Sequence, residues 1–195
     1  MKESVLVLGC GNSPRQNLFV GERLGPLFTD NFKRVVTLDK DVGCKSDIVW
    51  DLEKFPWPIE EEFEEVHAYE VLEHLGGIGD YESFFAIWRE IWKALKPGGL
   101  VCATTPWWES HWAWQDPGHK RIYSPGILGY LSHTEYERQI GTTSMTDYRA
   151  FFHKPYSFTI QKAYQNGVDP KAAGFIFILS KDGDTGVDIV NPSMV

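Results

Sequence analysis

The run Val5-Leu6-Val7-Leu8-Gly9-Cys10-Gly11-Asn12 decides the fold. Four consecutive apolar residues stopped by a glycine describe a strand buried on both faces, as in a parallel sheet covered by helices. The pattern returns along the chain. Residues 35–38 form a second apolar run that ends at Asp39. Residues 47–50 form a third, followed by Asp51. Residues 66–69 form a fourth, ending beside Glu70, and residues 100–104 a fifth, launched from Lys96-Pro97-Gly98-Gly99. Between the fourth and fifth runs, Phe84, Phe85, Trp88, Ile91, Trp92 and Leu95 recur at helical spacing. That spacing predicts a helix over residues 80–95, with Asp80 as N-cap and Pro97-Gly98 as the stop. Two β-rich runs, 156–164 and 174–179, lie on either side of the turn dipeptide Asn166-Gly167 and read as an antiparallel pair. The expected architecture is α/β: a doubly wound, mostly parallel sheet of seven strands with a C-terminal antiparallel hairpin, in a single domain. From about residue 182 the chain reads as a loose polar tail.

Composition narrows the function. Hydrophobic residues make up 43% and charged residues 24% of 195, which fits a globular chain able to bury a core without disulfide or metal staples. Nineteen basic against 27 acidic side chains give a net charge of −8, which disfavours a general nucleic-acid binder. The three cysteines, Cys10, Cys44 and Cys102, are odd in number and form no CxxC pair. They read as free thiols in a reducing, cytoplasmic setting. No run of 18 apolar residues suggests a membrane span, and the first apolar run is too short for a signal peptide. The expected partner is therefore a small-molecule or metabolite substrate.

In an open α/β sheet, ligands bind beyond the carboxyl ends of the strands. Those ends carry Gly9-Cys10-Gly11-Asn12, Asp39-Lys40, Asp51-Leu52 and Glu70. Glycines allow close approach of the backbone to a ligand. A carboxylate ending the second strand suits the two hydroxyls of a ribose, and a polar residue after the third suits an adenine amino group. A dinucleotide site is the rival, but its fingerprint G-x-G-x-x-G has Pro14 at the third glycine. The acidic residue expected about 20 positions on falls near Asp30, before the second strand instead of at its end.

Taken together, residues 4–104 resemble the class I S-adenosylmethionine-dependent methyltransferases, in particular their type-11-like members. Val5–Gly11 resembles the glycine motif, residues 36–39 the acidic ribose-binding strand end, and Asp47–Leu52 the adenine-contacting segment. Val71-Leu72-Glu73-His74 and Leu95-Lys96-Pro97-Gly98-Gly99 resemble the helix after the fourth strand and the turn before the fifth. The resemblance implies a Rossmann-like methyltransferase fold. It implies S-adenosyl-L-methionine as cofactor, with S-adenosyl-L-homocysteine as product. Gly9, Cys10, Gly11, Asn12, Asp39, Lys40, Asp51, Leu52 and Glu70 are the implied cofactor residues. The implied activity is methyl transfer to an O or N nucleophile of a small or medium polar acceptor.

Such transfer needs an oriented acceptor and, for many nucleophiles, a base. His74, His111, His119, Glu70, Glu73 and Asp116 are candidates that no sequence rule separates; His119, His74 and Glu70 are the catalytic expectation. The run Glu70-x-x-Glu73-His74 has a second reading. On a helix start its side chains would share a face and hold a divalent cation, as a similar run does in small-RNA 2′-O-methyltransferases, with His119 as a further ligand. The acidic pI of about 5.2 counts against RNA as acceptor. The DNA amino-methyltransferase motif and the Pro-Cys dipeptide of cytosine-C5 enzymes are both missing after the fourth strand. A cofactor-holding module without catalysis is the remaining alternative.

Residues 105–132 exceed what a crossover needs. They concentrate four of the eight tryptophans, at 107, 108, 112 and 114. This insert is expected to act as a lid, with Trp108, His111, Trp112, Asp116 and His119 meeting the substrate.

Overall fold

A computed structural model describes residues 2–12, 32–152 and 154–181. Seven strands form one sheet: β1 (Lys2–Leu8), β2 (Phe32–Asp39), β3 (Ile48–Val49), β4 (Phe63–Tyr69), β5 (Leu95–Pro106), β6 (Phe158–Asn166) and β7 (Gly174–Lys181). Their order is β3-β2-β1-β4-β5-β7-β6. The pairs β2–β3, β1–β2, β1–β4 and β4–β5 are parallel, and β7 runs antiparallel to both β5 and β6. The mostly parallel sheet and closing hairpin are as the sequence predicts. The hairpin is folded inward, so that β7, not β6, lies against β5. Pro14 and the tail beyond Lys181 lie outside the described residues.

Four helices are described: α1 (Tyr81–Ala94), α2 (His111–Gln115), α3 (Pro125–Leu128) and α4 (His133–Gln139). Asp80 caps α1 as expected, its side chain accepting from Ser83 N. The main core lies between α1 and one sheet face. Leu6 and Leu8 of β1, Val66 and Ala68 of β4, Val101 and Ala103 of β5, and Phe175, Phe177 and Leu179 of β7 meet Phe84, Phe85, Trp88 and Ile91. Trp88 is fully buried between the rings of Phe158 and Phe177, at 5.5 and 6.3 Å. Burying a ring of this size contributes on the order of 2–3 kcal/mol before packing is counted.

The opposite face carries a smaller cluster, Val5, Val7, Cys10 and Phe32, and beside it a buried polar chain. His67 Nε2 lies 2.7 Å from Glu65 Oε2, and Tyr69 Oη lies 2.5 Å from His67 Nδ1. These side chains satisfy one another along one face of β4, which is what allows polar groups to be buried there. Cys10 and Cys102 are buried and Cys44 half-buried, and among the described residues they form no disulfide with one another.

Among the described residues no helix is long and apolar enough to cross a membrane.

Candidate functional site

The parallel strands deliver their carboxyl ends to one edge, where a cavity of about 430 Å³ opens. Its walls are Gly9, Asp39, Lys40, Trp50, Asp51, Leu52, Glu70, Val71, His74, Leu75, Gly118 and Lys120. That volume lies within the usual range for small-ligand sites.

The glycine turn is held by its neighbours. Gly9 N donates to Leu38 O at 2.8 Å, and Gly11 N donates to Asp39 Oδ2 at 2.9 Å. The other carboxylate oxygen, Oδ1, accepts from Asp41 N at 2.9 Å. Asp39 thus fixes two turns with one lone pair on each oxygen, and each oxygen keeps a further lone pair.

Gly9 and Gly11 both have left-handed backbones, at φ 59° and 54°. They differ in room. A Cβ on Gly9 would stand 2.4 Å from Val71 Cγ2, whereas nothing lies within 4 Å of one on Gly11. Gly11→Ala is therefore expected to cost about 1–2 kcal/mol of backbone strain. Gly9→Ala should cost more, because Val71, a cavity wall, must also move. Urea unfolding of both variants checks the order, and equal losses would place Val71 elsewhere.

Cys10 is buried, and burial pushes its thiol above the ordinary range, with the Asp39 charge adding to the rise. It packs in the loop and is not an activated nucleophile. Asn12 is exposed at the end of the turn. Trp50 Nε1 donates to Lys54 O, and Asp51 Oδ1 accepts from Glu53 N, which together shape the third-strand wall.

The far end of the cavity is built by the loop after β4. Glu70 has a left-handed backbone, φ 50°, and its N donates to Thr104 O. The run from Val71 does not continue as a helix. A single 3-10 turn spans Leu72–His74, and the N-cap Val71 offers no side-chain acceptor. The predicted sharing of a helical face by Glu70, Glu73 and His74 is therefore replaced by a different convergence. Glu73, His74 and His119 bring ligand-capable atoms within 4.8 Å of one another.

Two backbone bonds place His119 there. Lys120 N and Arg121 N both donate to Glu73 O, at 2.8 and 3.0 Å. The imidazoles of His74 and His119 then meet edge to face at 4.7 Å. His74 Nδ1 lies 3.0 Å from Gly118 O, and His119 Nδ1 lies 3.4 Å from Ala113 O. A carbonyl only accepts, so each Nδ1 carries the proton. In the neutral form of either ring the Nε2 lone pair is then free, and His119 Nε2 lies 3.9 Å from Asp116 Oδ2.

Glu73 is 2% exposed, and neither of its oxygens has a hydrogen-bond partner. Burial, reinforced by the neighbouring Glu70 carboxylate, pushes its carboxyl up to about 9. Two imidazoles and an unpartnered carboxyl form a donor set suited to a borderline divalent cation.

Trp108, Trp112 and Trp114 are exposed, at 41%, 61% and 64%, and His111 is exposed on α2. None of Trp108, His111, Trp112, Asp116 or His119 is among the cavity walls. Asp116 Oδ1 accepts from Gly118 N at 2.6 Å, forming the turn that presents Gly118 O to His74. Lys120 reaches the rim, bonding Glu53 at 2.7 Å. Of the sequence-predicted cofactor residues, Gly9, Asp39, Lys40, Asp51, Leu52 and Glu70 line the cavity. Val71, Leu75, Gly118 and Lys120 were not foreseen as cofactor walls. Val71 and Leu75 flank the Leu-Glu-His run, the one local signal that points to them.

No family model matches this chain, and no curated protein matches its sequence. Solved structures do match. The N-methyltransferase NodS from Bradyrhizobium japonicum, in complex with S-adenosyl-L-homocysteine, superposes with TM-score 0.55 at 16% identity, covering 93% of this chain and 79% of NodS. An S-adenosylmethionine-dependent methyltransferase from Clostridium acetobutylicum gives 0.54 at 11% identity, covering 94% and 85%. One from Archaeoglobus fulgidus gives 0.54 at 15%, covering 92% and 86%. This is the methyltransferase fold. In a methyltransferase fold of this strand order, the cavity at the carboxyl edge stands where an α/β sheet binds its ligand. The Asp39 lone pairs, the glycine turn and the Trp50–Leu52 wall fit a nucleoside-bearing cofactor.

Proposed function

We propose that this chain is an S-adenosylmethionine-dependent methyltransferase acting on an oxygen or nitrogen of a small or medium polar acceptor. The observation that carries this reading is the single cavity joining Gly9, Asp39 and the Trp50–Leu52 wall at one end to Glu70 and His74 at the other. When bound, the cofactor supplies a methyl group already activated as a sulfonium. What the chain adds is placement and proton handling. Asp39 accepts from the ribose hydroxyls, Gly9–Gly11 lets the backbone approach, and Trp50 and Leu52 pack on the base. In this reading His74, on the cavity wall, takes the acceptor's proton, with His119 packed against it. Positioning of this kind is worth up to about 7–11 kcal/mol, and a base about 10²–10⁴-fold. The exposed tryptophans of the 105–132 insert, in this reading, cover the acceptor once it is bound.

The convergence of Glu73, His74 and His119 favours a second reading of the same site. A divalent cation held there would orient and acidify an acceptor hydroxyl. RNA as that acceptor is opposed by the net charge of −8.

Methyl-labelled cofactor incubated with the protein and a metabolite pool tests the proposal, with and without added Mn²⁺. Label appearing in a small product is the expected result. Cofactor bound without any transfer would leave a silent binding module. Transfer only with Mn²⁺ would select the second reading.

A further inference from the structure

A second cavity, of about 220 Å³, lies between the first turns of α1, the helix α3 and the loop at Tyr148. It shares no wall residue with the first. Its walls are aromatic: Tyr81, Phe84, Phe85, Tyr130 and Tyr148, with Ile127. Tyr81 and Tyr148 stack at 4.9 Å, and Phe85 meets Tyr148 at 5.7 Å.

One charged side chain lines it, Arg121, which is 9% exposed. Its Nη2 donates to the carbonyls of Gly77 and Asp80, at 2.8 and 2.6 Å. The guanidinium carbon lies 4.9 Å over the Phe84 ring. Nε has no hydrogen-bond partner, and among the described residues no carboxylate forms an ion pair with this side chain. The Asp80 carboxylate, which accepts from Ser83 N, favours this cation only from beyond ion-pair distance. Burial opposes the charge, drawing the guanidinium below its ordinary range.

Buried cations are normally paired with an anion, because neutral carbonyls and a ring face offset only part of the lost hydration. Here the missing partner has space beside it. We propose that this cavity binds a small aromatic monocarboxylate, its carboxylate on Arg121 and its ring among the aromatic walls.

The chemistry selects this class. One guanidinium balances one negative charge, and a charge-assisted hydrogen bond to it is stronger than a neutral one. No second cation lines the cavity to neutralise a dianion such as phosphate. Stacked and edge-on rings favour a flat apolar body. An apolar cavity of about 150 Å³ admits benzene, so 220 Å³ leaves room for a ring and its carboxylate. This inference stands on the second cavity alone and does not depend on the methyltransferase reading. The two sites are nonetheless adjacent in the chain, since Lys120 lines the first and Arg121 the second.

Calorimetric titration of the full chain with benzoate, benzamide and inorganic phosphate tests the proposal. Benzoate should bind saturably, and benzamide, its neutral counterpart, about tenfold more weakly or worse. Arg121→Gln should lose benzoate binding. Because Arg121 also ties down the loop at Gly77, a second variant is needed that keeps it. Ile127→Trp fills the cavity and should abolish binding while leaving the guanidinium in place. No benzoate binding, equal binding of benzamide, or unchanged binding by Ile127→Trp would overturn the site. Preferential binding of phosphate would overturn the assignment to an aromatic acid.

Discussion

Asp39→Ala is expected to weaken binding of S-adenosylmethionine by a hundredfold or more. The carboxylate does two things at once. It holds Gly11 N and Asp41 N, each at 2.9 Å, and it keeps a lone pair on each oxygen for the ribose. Charge-assisted hydrogen bonds contribute about 1.5–3 kcal/mol each, so losing two to the ligand corresponds to about 10²–10⁴ in affinity. Loosening of the glycine turn adds to this. Asp39→Asn keeps one acceptor oxygen and should fall between the wild type and the alanine variant. Calorimetry with the demethylated product provides the measurement. Affinity within a factor of three of wild type (roughly 0.6 kcal/mol) would move the ribose contact to another residue. Asp51, on the facing wall, would then be the next to replace.

The strands were legible because a doubly buried strand has a simple signature, an unbroken apolar run ending in a turn residue. Their lengths were less so. β2 begins at Phe32, since Lys33 and Arg34 turn to solvent and reach Glu3 and Glu61 there. β3 shrinks to two residues because the Asp47 carboxylate is spent on Thr37 N and Oγ1, at 2.8 and 2.7 Å. That bond joins side chain to backbone across ten residues, and no periodicity reports it. The inward placement of β7 follows from burial. Phe175, Phe177 and Leu179 are sealed, while Gln161 and Lys162 of β6 face water.

The cofactor half of the site lies at strand ends and was readable one motif at a time. The acceptor half was read only through the resemblance, which set His119 beside the Glu73-His74 run. Glu73 and His119 are brought together by the bonds from Lys120 N and Arg121 N to Glu73 O, across nearly fifty residues of sequence. Backbone donors carry no side-chain identity, so such a closure leaves no trace in composition or spacing. The helical face expected for Glu70, Glu73 and His74 also depended on a continuing helix. The 3-10 turn that forms instead releases Glu70 into a left-handed backbone and leaves Glu73 facing His119.

Glu73→Gln is expected to stabilise the metal-free protein, by an amount that grows with pH. The carboxyl sits at about 9 in the folded chain, against an ordinary value of 4.5. Between those values the unfolded chain has lost its proton and the folded chain keeps it. The folded state then binds more protons, so stability is full below the unfolded value and is lost as pH rises through the folded one. The slope approaches about 1.4 kcal/mol per pH unit for a single uncoupled group. Glutamine does not titrate, so the variant lacks this slope and the two urea-unfolding curves should diverge toward alkaline pH. Parallel curves would mean that water reaches Glu73 in solution.

A cation reverses the effect. Binding displaces the proton and supplies the missing charge partner, so Mn²⁺ should raise the melting temperature of the wild type more at alkaline than at acidic pH. Glu73→Gln should blunt that response. His119→Ala should lose it too, yet keep the pH slope of the metal-free protein, because Glu73 remains buried. Absence of any Mn²⁺ response in the wild type would remove the cation from the site. His74, with His119 packed against it, would then remain as the group that takes the acceptor's proton.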